Sequence, residues 1–249
     1  MTRGLAWAAG CLLATSSLAV TNDTVTAEAE GRDLARQLRQ LQPAENSSLS
    51  GVLKLFPSRN KRIEVPVEFR TVVTATNWQV TYVAKGSSPD NAAAVTIIHT
   101  EHQPNQYCLT TNGQRGGETN AFIELNREQL MSPFAGSDFW LADLGLEFFH
   151  WPKQKVLKKE LRSGQSCSVL ESTNPSPVAG GYARVVSWID IDTGGIVHAE
   201  AYEANGSRLK RFEPKALKKV NGQWQLQEML IRNLKTGSRT AIEFDLQQQ

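Results

Sequence analysis

Four histidines, three cysteines and a scatter of carboxylates are the side chains of this 249-residue sequence that could carry covalent or metal chemistry. His99 and His102 stand three apart with Glu101 between them, a spacing that lets two imidazoles share a metal from one helix face. The apolar run Ala92–Thr100 leading into them reads instead as a strand that ends in a turn at Pro104, so the pair is expected in a surface loop with no metal. Cys167 lies in Ser166-Cys167-Ser168 ahead of Val169-Leu170. With no helix start or adjacent base to activate it, it reads as structural. No Gly-x-Ser-x-Gly elbow, phosphate-cradling glycine loop or dinucleotide fingerprint occurs. The sequence is therefore read as non-enzymatic, with no catalytic residue and no cofactor.

The elements that would position a binding site are easier to read. Hydrophobic residues are 40% and charged residues 21%, an ordinary globular composition. Lys+Arg 27 against Asp+Glu 25 leaves a net charge of +2, which removes the electrostatic footprint of a nucleic-acid binder. Arg3 precedes an uncharged, mostly small and apolar run from Gly4 to Val20, with small-residue exits at Ser17-Leu18-Ala19 and Ala27-Glu28-Ala29. This pattern reads as a secretory signal over residues 1–27, followed by one domain over 28–249 in the periplasm. Cys11 follows Ala8-Ala9-Gly10. It is either part of the apolar run or an acylation site that would make the protein a membrane-anchored lipoprotein. Export would leave Cys108 and Cys167 in an oxidising compartment, either bridged or buried separately on two strands.

Leu34, Leu38 and Leu41 recur at helical spacing, predicting an amphipathic helix over Glu28–Leu41 that Pro43 ends. After Ser47 the period becomes two. Ile63, Val65, Val67 and Phe69 alternate with polar residues and Pro66, and Trp78, Val80 and Tyr82 alternate with Gln79 and Thr81. Turn signals stand at Asn112-Gly113 and Gly116-Gly117. In the C-terminal third, Tyr182–Ile191, Ile196–Ala204, Ser207–Lys219, Gln223–Asn233 and Arg239–Gln247 are strand-like. They are separated by Thr193-Gly194-Gly195, Asn205-Gly206, Asn221-Gly222 and Thr236-Gly237, which are hairpin signals. The fold class expected is mainly β with α: a single strongly curved antiparallel sheet, an open half-barrel, of about ten strands in sequential order.

Residues 131 to 151 break this pattern. They hold six of the 19 aromatic side chains, and Pro133, Gly136 and Gly145 divide them into short pieces. Ser137 or Asp138 can cap a short helix starting near Phe139 that Gly145 closes. The segment is either ordinary core plugging one end of the barrel or a cover over an apolar cavity, since small-molecule sites favour barrel mouths. Beside it, Lys153, Lys155, Lys158, Lys159 and Arg162 form a basic stretch. That stretch reads as a solvated strand edge or as a docking surface for an anionic lipid or an acidic partner.

The order of segments resembles the outer-membrane lipoprotein-sorting proteins of the LolA-like superfamily. The resemblance rests on Gly136-Ser137-Asp138-Phe139 to Asp143-Leu144, on Tyr182-Ala183-Arg184 to Trp188-Ile189-Asp190, and on Ala201-Tyr202 with Lys210-Arg211-Phe212. Gly222-Gln223-Trp224, Glu228-Met229 and Thr236-Gly237-Ser238-Arg239-Thr240 complete it. It implies an unclosed, bent sheet with a helical lid, holding the acyl chains of a lipoprotein or another lipid. The implied partners are an inner-membrane release complex and an outer-membrane receptor. On this reading Met131, Phe134, Phe139, Trp140, Leu141, Leu144, Phe148, Phe149 and Trp151 lie near the hollow. Val65, Val67, Phe69 and Trp188 stand behind them. The alternative is a lipid- or lipoprotein-sensing regulatory module, itself anchored if Cys11 is acylated.

Overall fold

Alternating apolar residues and short polar turns fold locally into hairpins, and in the computed structural model these hairpins join into one antiparallel sheet of 13 strands. The structure describes residues 17–86, 93–111, 121–220 and 223–246. The strands are β1 (Ser47–Ser58), β2 (Lys61–Val73), β3 (Asn77–Ala84), β4 (Ala93–Thr100), β5 (Gln106–Thr111), β6 (Ala121–Glu124) and β7 (Lys153–Arg162). They continue as β8 (Gln165–Thr173), β9 (Arg184–Asp190), β10 (Ile196–Tyr202), β11 (Arg208–Val220), β12 (Gln223–Asn233) and β13 (Arg239–Phe244).

The order across the sheet is β6-β5-β4-β3-β2-β1-β13-β12-β11-β10-β9-β8-β7. Two meanders, β1–β6 and β7–β13, are therefore zipped together by the first and last strands, with Leu53 opposite Ile242 and Leu55 opposite Thr240. The count of 13 corrects the expected ten. In β1 both faces carry apolar side chains, which hides the alternation. β6 is only four residues long, and β7 is so rich in lysine that it reads as bare edge. At Asn205-Gly206 the turn between β10 and β11 places Gly206 at φ 82°, a conformation open to glycine at no steric cost.

The topology has one consequence for function. β6 and β7 are the two edges of the sheet, yet they are consecutive in sequence. The chain between them, residues 125–152, must cross from one edge to the other over one face. That chain contains the aromatic-rich segment.

On the same face lies α1 (Ser17–Arg39), which starts earlier than the expected Glu28 and runs unbroken through Ala27-Glu28-Ala29. Ala35 is fully buried, and Leu34 and Leu38 pack beside Phe148, Phe149 and Trp151. A Cβ on Gly31 would come within 2.4 Å of the Lys155 backbone nitrogen, so glycine lets the helix lie directly on β7. Cys11, most of the Arg3–Val20 run, and the turns at Asn112-Gly113, Gly116-Gly117 and Asn221-Gly222 lie outside the described residues. Among the described residues no helix is long and apolar enough to cross a membrane.

The core divides in two. One cluster, with Leu53, Val67, Val95, Ile97 and Ile242, underlies the first meander and the junction. The other, with Leu170, Val185, Ile189, Ala199 and Ala201, underlies the second meander and α1. Cys108 and Cys167 are free thiols on β5 and β8, which decides between the two readings of the pair in favour of separate cysteines.

Candidate functional site

The crossing segment is built from short turns because its glycines and proline prevent a long helix. One-turn 3-10 pieces at Gln129–Met131, Phe134–Gly136 and Glu147–His150 flank α2 (Leu141–Leu144), which Gly145 closes as expected. The helix starts two residues later than Phe139. Its first turn is capped by Asp143, whose carboxylate accepts from the Trp140 backbone N–H at 2.8 Å. Ser137 Oγ instead accepts from the Phe139 N–H. Leu146 adopts a left-handed conformation at φ 49° and ψ 43°, a local strain for a branched residue.

Polar side chains tie this segment to both meanders. On the second meander, Tyr182 Oη donates to Asp143 at 3.0 Å, and Lys210 Nζ donates to the Asp138 carbonyl at 2.7 Å. Lys210 is 2% exposed, lies 3.5 Å from the Asp143 carboxylate and sits 3.6 Å above the Trp140 ring. Burial pushes its ammonium down to about 8 against the pull of Asp143, and burial drives the Tyr182 phenol well above its usual value. The Asp138 carboxylate accepts from Ser238 at 2.6 Å and from Thr240 at 3.0 Å. On the first meander, Tyr82 Oη donates to the Leu144 carbonyl, Asn105 to the Gly145 carbonyl, and Tyr107 to Glu147 at 3.1 Å. Burial raises Glu147 to about 7 and Tyr82 to about 12.

Two cavities adjoin this segment. An apolar one of about 360 Å³ lies between it and the sheet, walled by Phe139, Leu144, Leu146 and Phe148 on one side. Its other walls come from both meanders: Leu49, Phe69, Val80 and Tyr82 from the first, and Val185, Ala199, Ala201, Phe212, Ile231 and Phe244 from the second. Its charged lining groups are Lys210 and Asp143, which face each other. A second cavity, of about 640 Å³, is more polar than the first. It is lined by the C-terminal turn of α1, the start of β3, the β4–β5 turn and the end of the crossing segment. The two share Val80, Tyr82, Leu144, Leu146 and Ile196.

Of the residues expected near a hollow, Phe139, Leu144, Phe148 and Phe69 line the apolar cavity, and Phe149 lines the polar one together with Leu144. Trp140 stacks on Tyr182 at 4.5 Å beneath Lys210. Phe134 and Leu141, with Val65 and Val67, pack into the first core cluster, Trp151 packs into the second, and Met131 touches both. Trp188 is on the opposite face of the sheet. It alternates with Val185 and Ile189, its indole N–H donates to Glu160 at 2.5 Å, and Arg162 covers its ring. A one-residue error in strand phase accounts for its misplacement, since period-two side chains exchange faces at each step. His99 stacks on Trp78 at 3.8 Å, and His102 lies 3.3 Å from Glu101. Sequence reasoning missed Lys210, Tyr182, Ala199, Ala201 and Ile231. The pairs Ala199/Ala201 and Lys210/Phe212 carry the i, i+2 signal, but nothing local fixes which face is covered.

The sequence model of a family described as uncharacterized protein matches residues 118–248, which take in the crossing segment and all of the second meander. No curated protein matches the chain. Among solved structures, a DUF1329 family protein from Desulfovibrio piger is similar with a TM-score of 0.68 and 18% identity, over 88% of this chain and 91% of that one. A putative outer membrane lipoprotein-sorting protein domain from Vibrio parahaemolyticus has a TM-score of 0.70 and 18% identity, over 88% and 92%. A LolA superfamily protein from Nitrosomonas europaea has a TM-score of 0.57 and 14% identity, over 88% and 92%. These likenesses bear out the LolA-like resemblance at the level of the fold.

Proposed function

This chain belongs to the family described as uncharacterized protein whose model matches residues 118–248, and from that footing we propose that it is a non-enzymatic periplasmic carrier that holds the acyl chains of a lipoprotein or another lipid beneath the crossing segment. The observation that carries the reading is the apolar cavity of about 360 Å³ walled by both meanders and roofed by that segment. Strands β3 and β9 are seven ladder steps apart, about 34 Å in a flat sheet at the usual strand spacing. Val80 of β3 and Val185 of β9 nevertheless line one cavity, which supports a sheet bent into a half-barrel. Each buried methylene contributes about 0.8 kcal/mol, so roughly ten would give about 8 kcal/mol, micromolar affinity before ordering costs. Burial alone therefore suffices for binding, and no chemistry is required of the site. Release would follow from a state in which the crossing segment lifts and the affinity drops.

The Vibrio parahaemolyticus structure, described as a putative outer membrane lipoprotein-sorting protein domain, favours transport over sensing as the role of the cavity. An inner-membrane donor and an outer-membrane acceptor are the corresponding partners, and export through residues 1–27 would deliver the chain to them.

Filling the cavity tests the reading. Ala199 and Ala201 are 7% exposed and line its floor. Ala199→Phe and Ala201→Phe should each weaken binding of a fluorescent monoacylglycerol about tenfold or more, with thermal melts confirming folding. Wild-type affinity in both folded variants would overturn the assignment of the cavity as the acyl site.

A further inference from the structure

The two cavities differ in chemistry but meet at one boundary, formed by Val80, Tyr82, Leu144, Leu146 and Ile196. A ligand whose tail fills the apolar cavity would place whatever follows the tail in the polar one. The charge there is uneven. Its ionisable lining groups are Arg36, Arg39, Glu101, the three histidines His99, His102 and His150, and the phenol of Tyr82, which burial keeps neutral.

Arg36 is paired with Asp33 at 2.9 Å, and Glu101 stands beside His102. Burial, with smaller opposing or added effects from neighbours, pushes His99 and His150 down to about 4, so both are neutral at pH 7. Arg39 is left. Its guanidinium has five N–H donors, and one nitrogen donates to the Phe149 carbonyl at 2.6 Å. Among the described residues no carboxylate lies within ion-pair distance of it. Burial, and then the neighbouring Arg36, hold it below the usual arginine range. A cation in that position would be stabilised by an anion arriving with the ligand, and a planar guanidinium suits carboxylate or phosphate oxygens.

We infer that the polar cavity is a head-group site, and that the ligand is an amphiphile whose acyl chain is joined to an anionic carboxylate or phosphate held by Arg39 with Arg36. The inference rests on the acyl-chain reading and names the ligand class for it. It separates an anionic lipid from a neutral acylated group of the same chain length.

The test compares ligands with one common acyl chain: a monoacylglycerol, a free fatty acid and a lysophosphatidylglycerol. Each is measured by displacement of a fluorescent monoacylglycerol from the full chain. The wild type should bind one or both anionic ligands about tenfold more tightly than the monoacylglycerol, and the stronger of the two identifies carboxylate or phosphate as the source. In Arg36→Gln/Arg39→Gln that ratio should fall below about threefold, whereas Arg39→Lys, which keeps the charge but loses the planar fork, should retain only part of it. If the double variant melts early, Arg36→Gln alone together with the salt dependence of the wild-type ratio replaces it. The ratio should shrink between roughly 50 and 500 mM salt. Equal affinities in the wild type would overturn the head-group site while leaving acyl binding intact. A ratio that survives both arginine changes would overturn its placement here. No binding of any of the three ligands would instead overturn the acyl-chain reading.

Discussion

The crossing segment is held to the second meander and to the first by polar clusters of opposite character. On the second meander the charges are matched. Lys210 meets Asp143 and the Asp138 carbonyl, and Asp138 is satisfied by Ser238 and Thr240. Toward the first meander the buried groups are less closely matched, with Arg127 the cation that acts on Glu147. Glu147 accepts from the Tyr107 hydroxyl, His99 and His150 are neutral neighbours, and Arg39 at the end of α1 donates to the Phe149 carbonyl with no carboxylate at ion-pair distance among the described residues. A satisfied buried network rigidifies, whereas partly satisfied groups respond to protons and ligands. The comparison assigns the latch of the segment to Lys210 and Asp143, and its responsive end to the stretch from Gly145 to His150.

Breaking the latch should have the largest effect. Lys210→Ala strands the Asp143 carboxylate without its cation and should lower stability by about 3–5 kcal/mol in a urea titration. Lys210→Met, which keeps the stem over Trp140, should cost less. A loss under about 1 kcal/mol for the alanine variant would show that the latch lies elsewhere.

The responsive end should show itself through pH. Glu147 is raised from 4.5 to about 7 in the fold, so its contribution is full below 4.5 and is lost as pH rises through 7, by roughly 3 kcal/mol. His99 and His150, lowered from 6.5 to about 4, act in the opposite sense. Their contribution is present above 6.5 and is lost as pH falls toward 4. Subtracting the Glu147→Gln stability profile from that of the wild type should isolate a decline between pH 4.5 and 7. Parallel profiles would remove Glu147 from the account.

The smallest expected effect concerns α1, whose last turn walls the polar cavity. Gly31→Ala would drive a methyl group into the Lys155 backbone and should cost about 1–3 kcal/mol. It should displace Arg39 from the polar cavity and weaken anionic-ligand binding more than monoacylglycerol binding. An equal loss for both ligand types would mean that α1 supports the fold as a whole and not that cavity in particular.

Much of this arrangement could be read from local pattern. Leu34 and Leu38 at helical spacing, the alternation through Val65, Val67 and Phe69, and the Asn205-Gly206 turn each depend on neighbours a few residues apart, where backbone geometry leaves little choice. The aromatic segment announced itself by its proline, its glycines and its density of rings. Trp188 shows where that reasoning stops. Its strand was recognised but its face was not, because a strand alternating polar and apolar side chains does not say which set will be covered. Lys210 illustrates the same point from the other side. In sequence it is one lysine of a basic Lys-Arg pair, and only its partners reveal it as buried.

Residue order by itself determined the periodicities, the turns and the place where the strand rhythm fails, since these follow from φ/ψ preferences and from side chains two to four positions apart. Tertiary structure alone decided that β1 pairs with β13. That pairing makes β6 and β7 the opposite edges of the sheet and sends the chain between them across its face. A ladder joining residues nearly two hundred positions apart leaves no periodic trace, because its hydrogen bonds are made by backbone groups that every residue carries.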